Sequence, residues 1–172
     1  MDLIKSLEEL NYLEYLSENP IHEILNIDIK DYGDINKKIV RSPYETVNNK
    51  DYPNATELDD LIRLHYLVKS RKVTTILEFG VGKSTAVFSD ALSKNKEQHG
   101  EYVRENLRRS NPFECHSVDN NEEWIGIVKK EYSSFKNIFY HYCKCEVNLI
   151  NFRICTLFYG MPNICPDLIY LD

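Results

Sequence analysis

The sequence predicts an α/β fold whose parallel sheet is built from strands that alternate with helices. Three observations carry this. Four short β-branched and apolar runs recur from residue 73 onward, stretches with helical character separate the first three, and a glycine turn links the first run to the first of those helices. Strands alternating with helices imply βαβ units and right-handed crossovers.

The elements follow in order. Leu3, Leu7, Leu10, Leu13 and Leu16 step by three and four, which predicts one helix that stops before Pro20 because a residue preceding proline avoids the α region. Residues 20–54 scatter short apolar pairs (Ile27/Ile29, Ile39/Val40) among Asn, Asp, Gly33, Pro43 and Pro53, and read as a loop-rich cap. A second helix is expected after Asn54 or Thr56, either of which can cap it. Glu57, Asp59 and Asp60 suit its positive end, and Leu58, Leu61, Ile62, Leu64, Leu67 and Val68 form its apolar face.

Val73–Phe79 then reads as the first strand, Ser84–Lys94 as a helix, Phe113–Val118 as the second strand and Glu122–Phe135 as the next helix. Ile138–Tyr142 and Asp167–Leu171 complete the strands. Trp124 falls on the second of these helices and reads as a packing residue in preference to a ring that faces a bound base. Two connections are long. Residues 95–112 are strongly charged and accommodate a short helix, with Arg104, Arg108 and Arg109 on a solvated face. Residues 143–166 show little β pattern apart from Leu149-Ile150 and Phe152–Ile154. The division expected is a helical, loop-rich extension over 1–55 and a sheet domain over 56–172.

Charge and composition narrow the function classes. The 172 residues have a formal net charge of -6, so the basic face that meets a phosphate backbone is missing and nucleic acid is not the expected partner. No run reaches the roughly 18 apolar residues of a membrane span, and Met1–Lys5 is not followed by the apolar run of a signal peptide. Five cysteines without an export signal read as reduced thiols in a cytoplasmic protein. Cys143, Cys145, Cys155 and Cys165 lack the paired C-x₂₋₄-C spacing of a structural zinc site, so no metal is expected. The dispersed histidines, His65 and His141 among them, read as core or surface residues.

The chemistry concentrates in Glu78-Phe79-Gly80-Val81-Gly82-Lys83-Ser84-Thr85, between a strand and a helix. Such a turn aims backbone N–H groups into the crevice at the carboxyl end of the strand, where open α/β sheets bind ligands. Three ligands compete. A phosphate-binding loop ending in Gly82-Lys83-Ser84 requires a further glycine at the position held by Leu77. A dinucleotide fingerprint requires Gly or Ala where Thr85 stands, and Glu78 would sit near its pyrophosphate. A cationic ligand accounts for the acid. The second strand run leads into Asp119, and a carboxylate at that strand end can take both hydroxyls of a ribose. Gly82 and Asp119 are 37 residues apart, beyond the roughly 20 usual between fingerprint and acid, and the charged insertion at 95–112 accounts for the excess.

An acid, one residue, then Gly-x-Gly at the end of the first strand resembles motif I of class I S-adenosylmethionine-dependent methyltransferases, a Rossmann-like family. The resemblance covers residues 56–172. It implies S-adenosylmethionine as cofactor, with Glu78 assisting the methionine ammonium and Gly80 and Gly82 as the platform, edged by Lys83, Ser84 and Thr85. It implies ribose binding by Asp119, contact of Asn120 and Glu146 with the adenine, and Asp172 beside methyl donor and substrate as the active-site acid. The implied activity is methyl transfer to a small-molecule or sugar-type acceptor. Two alternatives stay open: a non-catalytic methyltransferase-like module that binds a nucleoside or a protein, and a P-loop-like nucleotide hydrolase.

The family's sheet has the strand order 3-2-1-4-5-7-6, of which this sequence supplies 3-2-1-4. The fourth strand would leave an apolar edge open, a surface for a homo-oligomer or for further chain. The expectation is therefore a fragment of a longer protein, binding the cofactor weakly and turning over poorly by itself.

Overall fold

The computed structural model describes residues 3–32 and 57–171, by backbone alone at 3–5 and 31. The chain forms two compact units, Met1–Leu67 and Val68–Asp172.

The first unit is helical. Helices α1 (Leu3–Glu8), α2 (Tyr12–Glu18) and α3 (Ile21–Ile24) are followed by a 3₁₀ turn, Ile29–Tyr32. The leucine stripe does not run through one helix. Asn11 breaks it by accepting the backbone N–H of Glu14 at 3.2 Å as the N-cap of α2. That cap re-phases the helix: Tyr12 and Leu16 are buried, whereas Leu13 is exposed. Helix α4 (Leu58–Ser70) follows the predicted span. Its Leu58, Ile62 and His65 are fully buried. The Tyr15 hydroxyl satisfies His65 Nδ1 at 2.7 Å, and Arg63 donates to the Tyr12 hydroxyl at 2.7 Å. His65 is thus a hydrogen-bonded core histidine. The proposed caps Asn54 and Thr56, and the pairs near residues 39–40, lie outside the described residues.

The second unit is Rossmann-like. Strands β1 (Thr75–Phe79), β2 (Glu114–Asp119), β3 (Ile138–Tyr142) and β6 (Leu168–Leu171) form a parallel sheet in the order β3-β2-β1-β6. This is the predicted 3-2-1-4 arrangement, with β1 central. Helices α5 (Lys83–Asn106) and α6 (Glu122–Glu131) make the crossovers. The register aligns Glu78 with Ser117 and Tyr170, so these three side chains share a face. Helix α5 covers that face, its Phe88 meeting Tyr170 edge-on at 5.3 Å. Buried Asn95 donates to the carbonyls of Val68 and Val73 at 3.0 and 2.9 Å, fixing α5 against the lead into β1.

Two long connections differ from expectation. The charged segment after Lys94 is no separate helix; it extends α5 to 24 residues. Its charged side chains suit a solvated helix, with Arg104 facing Glu101 one turn away and Val103 as the buried contact. Arg109 lies beyond the helix end and leaves the solvated face to pair with Asp167.

Residues 143–166 contain an antiparallel hairpin rather than an irregular link, formed by β4 (Lys144–Ile150) and β5 (Arg153–Tyr159). At its base Phe158 packs on Phe79 at 4.9 Å, joining Leu77, Val118, Cys143, Met161 and Ile164 on the sheet face opposite α5. At its tip Asn151 and Phe152 have φ of 51° and 63°, the two left-handed residues of a type I′ turn. Glycine ordinarily takes the second place because a side chain there is crowded. Phe152 does so while 97% exposed, so no packing compensates. Phe152→Gly is expected to raise stability by about 0.5–1 kcal/mol in urea unfolding; a lower midpoint would show that the ring makes a stabilising contact.

Among the described residues, no helix is long and apolar enough to cross a membrane.

Candidate functional site

The sheet register brings three strand ends together. Phe79 lies between Val118 of β2 and Leu171 of β6, so the turn after β1 emerges beside Asp119. Gly80 has φ +97°, a conformation that favours glycine, and its N–H donates to the Val118 carbonyl at 2.9 Å. Gly82 has an ordinary extended φ, and a Cβ built on it would meet nothing within 4 Å. The space over Gly82 is therefore open, as close approach of a ligand to backbone requires.

Glu78 is fully buried at the penultimate position of β1. Its carboxylate accepts hydrogen bonds from the hydroxyls of Ser84 (2.5 Å), Thr85 (2.6 Å) and Ser117 (2.6 Å). The Thr85 hydroxyl also accepts the Gly82 N–H at 3.0 Å. Glu78 thus ties β1, β2 and the first turn of α5 together beneath the glycine turn. Charge-assisted bonds of this kind are stronger than neutral ones and hold a backbone in place. Nearby Cys115 feels the same environment: burial pushes its thiol well up, and the Glu78 charge pushes in the same direction. Burial likewise raises the Tyr140 phenol to about 12, reinforced by Cys115 and Glu78.

Asp119 is half-buried at the end of β2. Its Oδ2 accepts the Val81 N–H at 3.2 Å and its Oδ1 the Asn121 N–H at 2.8 Å. A carboxylate offers about four lone-pair positions, so each oxygen retains acceptor capacity. Asn120 beside it is exposed, as is Lys83 at the first position of α5. Ser84 and Thr85 are buried, their hydroxyls turned to Glu78.

One expected site residue stands apart from this group. Glu146 lies on β4, four residues beyond the end of β3, and pairs with Lys144. Asp172 lies outside the described residues.

Trp124 was expected to pack rather than to face a bound base. It is 43% exposed instead, and its Nε1 donates to the Val81 carbonyl at 2.5 Å. The local signal was its position: Asn121 caps α6 by accepting the Trp124 N–H at 3.0 Å, which places residue 124 in the first turn, beside the end of β2. A second group occupies the opposite sheet face. His116 bridges Glu114 (2.9 Å) and His141 (3.0 Å), its ring stacked near Phe139 and His141. Burial, and then the neighbouring His116, hold the His141 pKa down. This chain of side chains is remote from the face of Glu78, since His116 pairs in register with Leu77.

Set against protein-family models, curated proteins and solved structures, the chain matches none. Its architecture is that of Rossmann-type nucleotide- and cofactor-binding enzymes in general, and such folds host many chemistries.

Proposed function

We propose that residues 56–172 form the cofactor-binding part of an S-adenosylmethionine-dependent methyltransferase acting on a small-molecule or sugar-type acceptor in the cytoplasm. The observation that carries this reading is the pairing of an open glycine turn after β1 with the Asp119 carboxylate at the neighbouring end of β2.

The residues fit such a cofactor in two ways. Open space over Gly82 admits the amino-acid portion against backbone, and Asp119 retains acceptor positions for ribose hydroxyls. When bound, the cofactor supplies an electrophilic sulfonium methyl. The chain contributes alignment, the main source of rate in an in-line transfer between two held reactants. Asp119 holds the nucleoside end, the Gly80–Gly82 backbone supports the other end, and Glu78 keeps the turn in shape from below. Asn120 and Lys83 line the rim, and Asp172 follows β6 in sequence as the candidate acid toward the acceptor. Glu146, held by Lys144 on β4, is the weakest member of the set.

A non-catalytic binding module is the second reading, drawn from the hairpin. Val147, Leu149, Phe152 and Ile154 are all exposed there, as at sites that meet another protein.

Calorimetry with S-adenosylhomocysteine, ATP with magnesium, and NAD tests the first reading. S-adenosylhomocysteine should bind, and Asp119→Ala should weaken it at least roughly tenfold, the worth of hydrogen bonds to a charged group. Binding of ATP with magnesium but not S-adenosylhomocysteine would sink the proposal. Absence of heat with all three ligands would favour the interaction module.

A further inference from the structure

Trp124 is the sole tryptophan of the chain. Its indole is fixed although nearly half of the residue stays accessible. The restraint is a closed ring of hydrogen bonds: Trp124 Nε1 donates to the Val81 carbonyl (2.5 Å), and the Val81 N–H to Asp119 (3.2 Å). The Asn121 N–H donates to Asp119 (2.8 Å), and the Trp124 N–H to the Asn121 side chain (3.0 Å). The ring polar atom is therefore used on the backbone between Gly80 and Gly82. What remains to the indole is its apolar face, at the rim of the crevice that Asp119 and Gly82 share.

We propose that Trp124 is a ligand-binding residue whose indole face stacks on the planar base of a bound nucleoside, with the Val81 bond setting the ring's orientation. Three features favour a base over a general apolar partner. The ring is hydrogen-bonded into the same circuit as the carboxylate suited to a ribose. The space over the adjoining Gly82 is open. Base–aromatic stacking also tolerates any purine or pyrimidine, so it needs no further polar partner. The circuit adds a coupling: a ligand that engages Asp119 acts on atoms that also hold the indole. The inference rests on the nucleoside-cofactor reading given above.

Because no other tryptophan contributes, the emission of the whole chain reports on this ring. The test titrates the full chain with S-adenosylhomocysteine, adenosine and methionine, following emission and calorimetric heat together. Wild type, Trp124→Phe and Trp124→Ala are compared, with circular dichroism to verify folding. S-adenosylhomocysteine and adenosine should change the wild-type emission, and methionine should not. Trp124→Ala should raise the Kd for S-adenosylhomocysteine about tenfold or more, and Trp124→Phe, which keeps a stacking ring, by less. If Trp124→Ala fails to fold, wild-type emission and the Phe variant decide. Binding by calorimetry with unchanged emission and an unchanged Kd in the variants overturns the role of Trp124 and leaves the cofactor reading standing. No binding of S-adenosylhomocysteine or adenosine to the wild type overturns both.

Discussion

Glu78→Ala should unfold at a markedly lower urea concentration than the wild type, by roughly 3 kcal/mol or more. The reason is what the substitution leaves behind. Ser84, Thr85 and Ser117 are buried hydroxyls whose acceptor is the Glu78 carboxylate, at 2.5, 2.6 and 2.6 Å. Removing it opens a cavity and strands three donors, and each buried polar group left unsatisfied costs about 1–3 kcal/mol. Relief of the buried charge offsets part of this. Glu78→Gln keeps the volume, and hydroxyls can rotate to accept as well as donate, so its loss should be about 1–2 kcal/mol. The pair also discriminates between two roles for the acid. A direct partner of a cofactor ammonium would make Glu78→Gln lose affinity sharply. A clamp beneath the turn predicts a folded variant whose affinity for S-adenosylhomocysteine changes less than that of Asp119→Ala. An unfolding midpoint for Glu78→Ala near that of the wild type would refute the clamp.

That clamp marks how far the sequence could be read. Glycine at 80, an acid at 78 and the strand before them are local signals, and each concerns residues within a few positions. β3 was legible to the residue, because Ile138–Tyr142 is an apolar and aromatic run closed by a change of character. The partners of Glu78 were not, since Ser117 lies 39 positions away and only the β1–β2 register brings it there. The hairpin was missed for a related reason. Its Val147, Leu149 and Ile154 share a face by register, but Phe152 stands where turn chemistry calls for glycine, so the strongest hairpin cue was absent. The α5 extension was hidden by its charge, which describes a solvated helix and a loop equally well. The leucine stripe misled in the other direction: periodicity ran on through Asn11, whose side chain instead caps the start of a second helix. Trp124 was read by residue type, whereas the cap at Asn121 set its place in the first turn of α6.

Asp167 should make the stability of the sheet depend on pH in a direction fixed by its surroundings. The residue sits at the amino ends of β1 and β6, away from the glycine turn. Its Oδ2 accepts the Thr74 N–H at 2.8 Å and the Thr74 hydroxyl at 2.6 Å. Its Oδ1 pairs with Arg109, which also donates to the Cys165 carbonyl at 3.2 Å. Burial alone would raise its pKa, but the Thr74 hydroxyl and amide, together with the Arg109 charge, outweigh it and hold the carboxyl below its ordinary range. A folded pKa below the unfolded value of about 3.9 means that the unfolded chain takes up a proton first on acidification. The stabilisation is therefore complete at neutral pH, begins to fade near the unfolded value, and is lost as pH falls through the folded one. Asp167→Asn should lose about 1–3 kcal/mol at pH 7, because Thr74 and Arg109 face an amide in place of a carboxylate. The gap between variant and wild type, measured by urea unfolding across pH 7 to 3, should narrow at the acid end. A gap that stays constant over this range would mean that the Asp167 charge does not hold β6 to β1, and that the backbone bond from the Asp167 N–H to the Thr75 carbonyl, at 2.8 Å, secures the strand without it.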